Sequence, residues 1–347
     1  MSPRRQHASA STITEVAKLA GVSIATVSRV LSNHPHVSDE VRQKVLDAVR
    51  QLGYEPHRVA QRLRARQSRL IGIIATDITN PFLNTVMACV EEVFFARGFT
   101  VLMSNTNADR KKELNYLSMM ESEAIDGLVI TPTSENVDRV AELSEKGLPI
   151  TVVDRRMTAG RVDVVLSDNV AGARAATEHL LRLGHQRIGH IGGPLHLTSG
   201  RERYEGYREA MQASSWPASP DLVHFGDYRR ESGYNAATEL LQSDTPPTAL
   251  FVANNLMTLG ALNAIHDQGI SIPDDIAIVG FDDMPWARSL NPPLTTVAQA
   301  VEEIGYRAAR LLMARIEQPD LPPRTEVVGT QLMVRASCGA KNPLPSP

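Results

Sequence analysis

The sequence predicts a small all-α head followed by a larger α/β body, and three observations carry that prediction. Residues 12 to 52 place apolar side chains at helical spacing, with capping residues and glycines at the breaks. From Leu70 onward, short apolar runs alternate with amphipathic stretches, the pattern of parallel sheets with helices on both faces. At 347 residues the chain is also too long for one small domain, so two or three are expected.

Residues 1–11, rich in Ser, Ala and Arg, read as a disordered tail in which Arg4 and Arg5 are available to phosphates. The stretch TITEVAKLAGVSIATVSRVLSN follows, from Thr12 to Asn33. Thr12 can cap a first helix, and Glu15 three residues on completes a capping box. Ile13, Val16, Ala17 and Ala20 form its apolar stripe, and Gly21 supplies a turn. Ser23 then caps a second helix whose Val27, Val30 and Leu31 face inward. Its other face carries Ile24, Ala25, Thr26, Ser28, Arg29 and Ser32, which are short side chains apart from one arginine. Such a face suits the DNA major groove: small residues allow close approach, and an arginine can fork onto guanine O6 and N7.

After a loop, a third helix is expected from about Ser38 to Leu52, with Asp39 and Glu40 complementing the helix dipole. Val41, Val45, Leu46, Val49 and Leu52 would be its stripe, Gly53 its end, and Tyr54 should pack back on the core. The segment PHRVAQRLRARQSR (56–69) carries five arginines and a short stripe of Val59, Ala60 and Leu63. A helix of two turns is marginal in water, so this one should need a partner to form.

In the body, LIGIIAT, FTVLMSN, DGLVITP, PITVVD, VDVVLSD, RIGHIGG, ALFVANN and IAIVGFDD read as buried strands. Ligands of open α/β sheets sit at the carboxyl ends of strands. Here those ends read Asp77–Asn80, Asn105, Asp154–Arg155, Asp168–Asn169, Asn254–Asn255 and Asp282–Asp283, which suggests a polar pocket. A sugar offers hydroxyls that donate and accept, plus an apolar ring face. Asp154, Arg155, Arg203, Asn254, Asp282 and Gln299 would supply hydrogen bonds, with Phe82 and Tyr228 as stacking faces and Trp286 a weaker third. A purine would demand more aromatic residues, and a phosphorylated ligand more basic ones.

The net charge of −3 conceals a division. Through Arg69 there are 12 Lys and Arg against 5 Asp and Glu, whereas the remainder has 24 against 34. A basic head on an acidic body suits a nucleic-acid partner. No apolar run is long enough to cross a bilayer and the first residues lack a signal-peptide core, so a cytoplasmic, nucleoid-associated protein is expected. Cys89 and Cys338 read as structural thiols, and His185, His190 and His196 as surface or loop histidines without metal-ligand spacing. Met119 and Met120 read as core-facing. Phosphate-loop and nucleophile motifs are absent, so no catalysis, cofactor or metal is expected.

The Thr12–Asn33 stretch closely resembles the DNA-binding segment of the LacI/GalR family, whose pattern is an aliphatic residue, D/E-V-A, A-G-V-S and T-V-S-R-V-L. The resemblance runs over about residues 12 to 340. It implies a transcriptional repressor that binds a pseudo-palindromic operator in double-stranded DNA as a homodimer. The head would span 12–57 as a helix-turn-helix domain and the hinge helix 58–68. The periplasmic-binding-protein-like body would span 69–341, with a tail at 342–347. Two doubly wound subdomains would interleave, 69–168 with 300–327 and 169–299 with 328–341. DNA contacts are implied at Thr12, Ser23, Ile24, Ala25, Thr26, Ser28, Arg29, Ser32, His36 and Arg58. Leu63 matches the hinge leucine that wedges into the minor groove, and Ala60 the small residue where two hinge helices approach.

The body is similar to periplasmic sugar-binding proteins, most of all the ribose-binding type. That type places ligand contacts in an N-P-F turn, a D-R pair, an R-x-x-G-[FY] segment, a following aromatic, an N-[DN] pair, a G-F-D strand end and an A-Q loop. These positions are Asn80 and Phe82, Asp154 and Arg155, Arg203, Tyr228, Asn254, Asp282 and Gln299. A ribose-like pentose is the implied effector, with a purine or other non-sugar metabolite as the alternative. Leu83 stands where the family's turn has a second aromatic, which removes one stacking ring.

Overall fold

The computed structural model describes residues 11–31, 36–54, 68–133, 137–216 and 219–340. Residues 1–10 and 342–347 of the expected tails, residues 58–67 of the hinge, and Ser32, Arg58, Ala60 and Leu63 lie outside the described residues, whereas Ser11 of the expected tail donates to Leu52 O at 2.7 Å. The chain divides into two units, Met1–Ser68 and Arg69–Pro347.

The first unit holds helices α1 (Ile13–Ala20), α2 (Ile24–Leu31) and α3 (Asp39–Leu52). Local chemistry sets each boundary. The Thr12 amide donates to the Glu15 carboxylate at 2.7 Å, and the Thr12 hydroxyl accepts from the Glu15 amide. Gly21 takes φ 65° at the end of α1, a left-handed conformation that glycine adopts without a Cβ clash. The Ser23 hydroxyl accepts from the Thr26 amide at 3.1 Å and starts α2. Val16, Ala17, Val27, Val30, Val45, Ala48 and Tyr54 form the core. Leu46 departs from expectation, being 39% exposed while Ala48 is buried. Helical periodicity explains the exchange, because residues 45, 48, 49 and 52 share a face and residue 46 is rotated about 100° from it.

The second unit contains two six-stranded sheets. The first is built from β1 (Leu70–Ala75), β2 (Thr100–Asn105), β3 (Gly127–Ile130), β4 (Ile150–Val153), β5 (Asp163–Ser167) and β11 (Thr325–Val328). Their order is β11-β5-β4-β3-β1-β2, parallel throughout. Helices α4 (Pro81–Phe95), α5 (Arg110–Ser122), α6 (Val137–Glu145) and α11 (Val301–Glu317) belong to this half. Strand alternation sorts the side chains: Ile71, Ile73 and Ala75 pack with residues of α4 and α11, while Leu70 and Ile74 pack with residues of α5 and α6.

The second sheet runs β12 (Thr330–Met333), β10 (Thr295–Gln299), β9 (Ala277–Phe281), β8 (Ala249–Val252), β6 (Ile188–Gly192), β7 (Val223–Phe225). It is parallel except for the β10–β12 pair. Its helices are α7 (Asn169–Arg182), α8 (Thr198–Ala213), α9 (Arg230–Leu241) and α10 (Asn255–Asp267).

The chain passes between the two sheets three times, after β5, after β10 and between β11 and β12. The crossings are laced together. The Asp168 amide donates to Val328 O at 2.8 Å, and the Ser167 hydroxyl donates to the Gln299 side-chain oxygen. Asp163 of β5 is fully buried and accepts from Arg315 and Arg324, each as close as 2.8 Å, which pins α11 and the start of β11 to the first sheet.

Several expectations are corrected. FTVLMSN forms an edge strand, β2, whose side chains are half-buried or exposed rather than buried. Only Met120 of the methionine pair reaches the core, and Met119 lies on the exposed side of α5. His190 is fully buried inside β6, stacked against Tyr207 at 4.7 Å with Tyr204 and Phe251 on its other contacts. Burial holds its pKa down to about 3, so it is a neutral core ring and not a surface histidine. Both cysteines are free and buried.

Candidate functional site

The carboxyl ends of the two sheets face one another across a cleft. All nine side chains assigned to ligand contact from the sequence line it: Asn80, Phe82, Asp154, Arg155, Arg203, Tyr228, Asn254, Asp282 and Gln299. Three of the expected strand-end residues do other work. Asp168 caps α7 by accepting from the Ala171 amide at 3.0 Å. Asp283 is held by Arg335 at 2.7 Å; burial pushes its pKa up, but the Arg335 and Thr296 hydrogen bonds and nearby arginine charge together bring it below the ordinary value. Asn105 accepts from the Asn107 amide in a local turn. Trp286 packs against the core of the second half and does not line the cleft.

Each cleft residue is positioned by its element. Asn80 caps α4, its Oδ1 accepting from the Phe82 amide at 3.0 Å, and both residues line the cleft. The same oxygen accepts from Asn255 Nδ2 of the opposite half at 3.0 Å. Asp154, at the end of β4, takes φ 62° and receives Arg155 Nη1 on its backbone oxygen at 2.8 Å. Arg155 also reaches Ser199 Oγ at 3.3 Å, and its Nε is buried without a hydrogen-bond partner. Arg203 projects from α8, donates to Asn169 Oδ1 at 2.9 Å and Ala253 O at 2.7 Å, and lies 3.8 Å over the Phe281 ring. Asn254 caps α10 and donates to Tyr228 O at 3.2 Å. Asp282, ending β9, accepts from the Asn255 amide at 3.2 Å and from Gln299 Nε2. Burial raises the Asp282 pKa against the opposing pull of Arg203.

Seven non-glycine residues have positive φ among the described residues, and five of them line this cleft: Asn107, Ala108, Asp154, Tyr228 and Asp282. Backbone strain of this kind costs on the order of 1–3 kcal/mol per residue and persists where the surrounding structure enforces it, commonly at ligand sites. The ionic groups nearly balance, with Asp77, Asp154, Asp227 and Asp282 facing Arg155, Arg203 and Arg229. Planar donors and acceptors, two aromatic side chains and ionic groups of both signs therefore line one cleft.

Sequence reasoning missed Ser199, Leu197, Asn107 and Arg229, which also line the cleft. It also missed Gly193. A Cβ there would lie 2.1 Å from the Tyr228 ring, so the aromatic face can occupy its place only beside a glycine. The Gly192–Gly193 pair at the end of β6 was the available signal.

In the head, Ile24, Ala25 and Arg29 are exposed on α2, Thr26 and Ser28 are half-buried, and His36 is exposed in the turn before α3. Thr12 and Ser23 stand at the amino ends of α1 and α2. Among the described residues no cluster could hold a metal ion, and no helix is long and apolar enough to cross a membrane.

Residues 12–57 match the pattern described as bacterial regulatory proteins, lacI family, and residues 177–338 match a periplasmic binding protein-like domain. A curated relative, the HTH-type transcriptional repressor PurR of Mannheimia succiniciproducens, is 34% identical over 328 residues, covering 94% of this chain and 98% of that protein. The ribose operon repressor of Halalkalibacterium halodurans is 36% identical over 324 residues, 93% of this chain and 96% of that protein. Among solved structures, the lac repressor dimer bound to operator and the anti-inducer ONPF superposes with a TM-score of 0.82 at 29% identity. That match covers 95% of this chain and all of the other.

Proposed function

Because this chain belongs to the lacI family of bacterial regulatory proteins and is a DNA-binding transcriptional repressor, we propose that the small molecule controlling it is a sugar, a ribose-like pentose first. The carrying observation is the cleft: planar hydrogen-bonding side chains, Asn80, Asp154, Arg155, Arg203, Asn254, Asp282 and Gln299 among them, and two aromatic faces around a nearly charge-balanced space. A pentose uses both features, its hydroxyls meeting carboxylate, amide and guanidinium groups and its ring face lying on Phe82 or Tyr228. Leu83 in place of a second aromatic next to Phe82 leaves the cleft one stacking ring fewer.

The head binds operator DNA with α2 in the major groove, and two copies read two half-sites of a pseudo-palindrome. A ligand that touches both halves of the body favours their closed arrangement. It changes operator affinity only to the extent that it binds one DNA-affinity state better than the other. We take that sign as induction, in which sugar binding lowers operator affinity.

The relative named PurR brings forward a second reading, a purine in the same cleft. One thermal-shift panel on the intact protein separates them. D-ribose at about a hundred times its dissociation constant should add about 2.7 kcal/mol of stability. A shift from hypoxanthine or guanine with none from any pentose would replace the sugar reading by the purine one. Operator titration with and without the active compound then fixes the sign, and tighter binding would mean corepression.

A further inference from the structure

Glu202, on the first turns of α8, does not line the cleft, yet it sits between two things that ligand binding must coordinate. Its side chain is 10% exposed. One oxygen, Oε1, accepts from Arg156 Nη2 at 2.8 Å and from Nε at 3.1 Å. Arg156 stands in the turn after β4 and so belongs to the opposite half of the body. The other oxygen, Oε2, accepts from Asn169 Nδ2 at 3.1 Å. Asn169 in turn uses its Oδ1 to accept from Arg203 Nε at 2.9 Å. The relay therefore runs Arg156, Glu202, Asn169, Arg203, from a cross-cleft ion pair to a guanidinium in the cleft.

We propose that Glu202 is a positioning residue that couples contact between the two halves of the body to the orientation of Arg203 toward the effector. The proposal rests on the cleft being the effector site. While the halves are in contact, the Arg156 cation fixes the Glu202 carboxylate, and the carboxylate fixes the rotamer of Asn169. That amide must then present oxygen, not nitrogen, to Arg203. When the halves separate, Glu202 loses its cation, and Asn169, whose Nδ2 also donates to Ser167 O at 3.2 Å, loses the fixed carboxylate of its two acceptors. A second bond marks the same contact: the Arg156 backbone amide donates to Thr198 Oγ1 at 2.8 Å across the two halves. Arg156 is about half-exposed, so salt should weaken its ion pair.

Glu202→Gln tests this in the full chain, because glutamine keeps an oxygen for Asn169 while removing the charge that Arg156 holds. Hydrogen exchange without ligand reads the latch directly. The segment containing the Arg156 amide should exchange at least about threefold faster in E202Q, and raising the salt should bring the wild type toward the variant. D-ribose affinity measured by calorimetry should fall roughly threefold to tenfold in both E202Q and R156A. The double variant should be no worse than either, and the ligand-free unfolding midpoint should not move. Equal Arg156 exchange in wild type and E202Q overturns the latch, and additive losses in the double variant overturn the link to Arg203. If the wild type does not bind D-ribose, the sugar reading falls, while the exchange comparison still decides the latch.

Discussion

Arg29 is the long cation among the short side chains of α2, and it is exposed at the carboxyl half of that helix. A guanidinium at that place can satisfy two acceptors of a guanine edge at once, which a lysine or an amide cannot do with the same geometry. Arg29→Ala should weaken operator binding by roughly 1–3 kcal/mol and relax preference at one base position. Binding measured by anisotropy against a half-site library checks it, and an unchanged affinity and preference would remove Arg29 from base readout. In the body, Gly193 makes the corresponding test of the cleft. Its substitution by alanine forces the Tyr228 ring off a position only 2.1 Å from the new Cβ. Effector affinity should fall about tenfold or more, near 1.4 kcal/mol, while ligand-free operator binding stays as it was. If G193A binds effector normally, Tyr228 is not a stacking face.

At the scale of elements, the return of α11 and β11 to the first sheet depends on one buried carboxylate. Asp163 is held by Arg315 and Arg324. Burial alone would raise its pKa, but the two guanidiniums outweigh it and the value falls below the ordinary 3.8. A depressed carboxylate contributes stability that is complete above its unfolded value and is lost as pH falls through its folded one. The body should therefore hold this contribution through the neutral range and lose it below about pH 4. Asp163→Asn should cost about 3–5 kcal/mol at neutral pH, because it leaves two guanidiniums facing a neutral amide, and should flatten the acid limb of the stability curve. Denaturant melts of both proteins from pH 3 to 7 measure it, and parallel curves would assign the acid sensitivity elsewhere.

The elements also show what a sequence makes legible. Eight apolar runs mark strands; seven of them are buried at every position, because a strand covered on both faces needs apolar side chains throughout, and the eighth, β2, is an edge. Four strands escaped that signal: VHF, TTVAQ, TEVV and TQLM. Three of them, β7, β11 and β12, are sheet edges with less to bury, and β10 buries threonines whose hydroxyls find partners in Asp283 and Arg335. The polar strand ends were legible as a pocket because topology forces such ends together. Glu202 and Gly193 were not, since their roles arise from partners such as Arg156 and Tyr228 that lie 46 and 35 residues away in sequence.

For the whole molecule, the charge division and the interleaved body imply a machine in which two ligands meet only through the states they prefer. Operator DNA binds the basic head, where 12 Lys and Arg stand against 5 Asp and Glu through Arg69, and the effector binds an acidic body. Direct contact between the ligands is not needed, and the coupling is a free energy that must be the same measured from either side. If D-ribose lowers operator affinity by some factor, then operator DNA must lower ribose affinity by that same factor, typically 5- to 150-fold for allosteric pairs. Asp282→Ala, which removes the carboxylate at the end of β9, should abolish ribose binding and leave ligand-free operator affinity intact, so both halves of the cycle collapse together. Four titrations measure this: ribose onto free and operator-bound protein, and operator onto free and ribose-bound protein. Unequal factors would mean that ribose or DNA also changes the assembly state, because a closed cycle over a single assembly admits only one coupling constant.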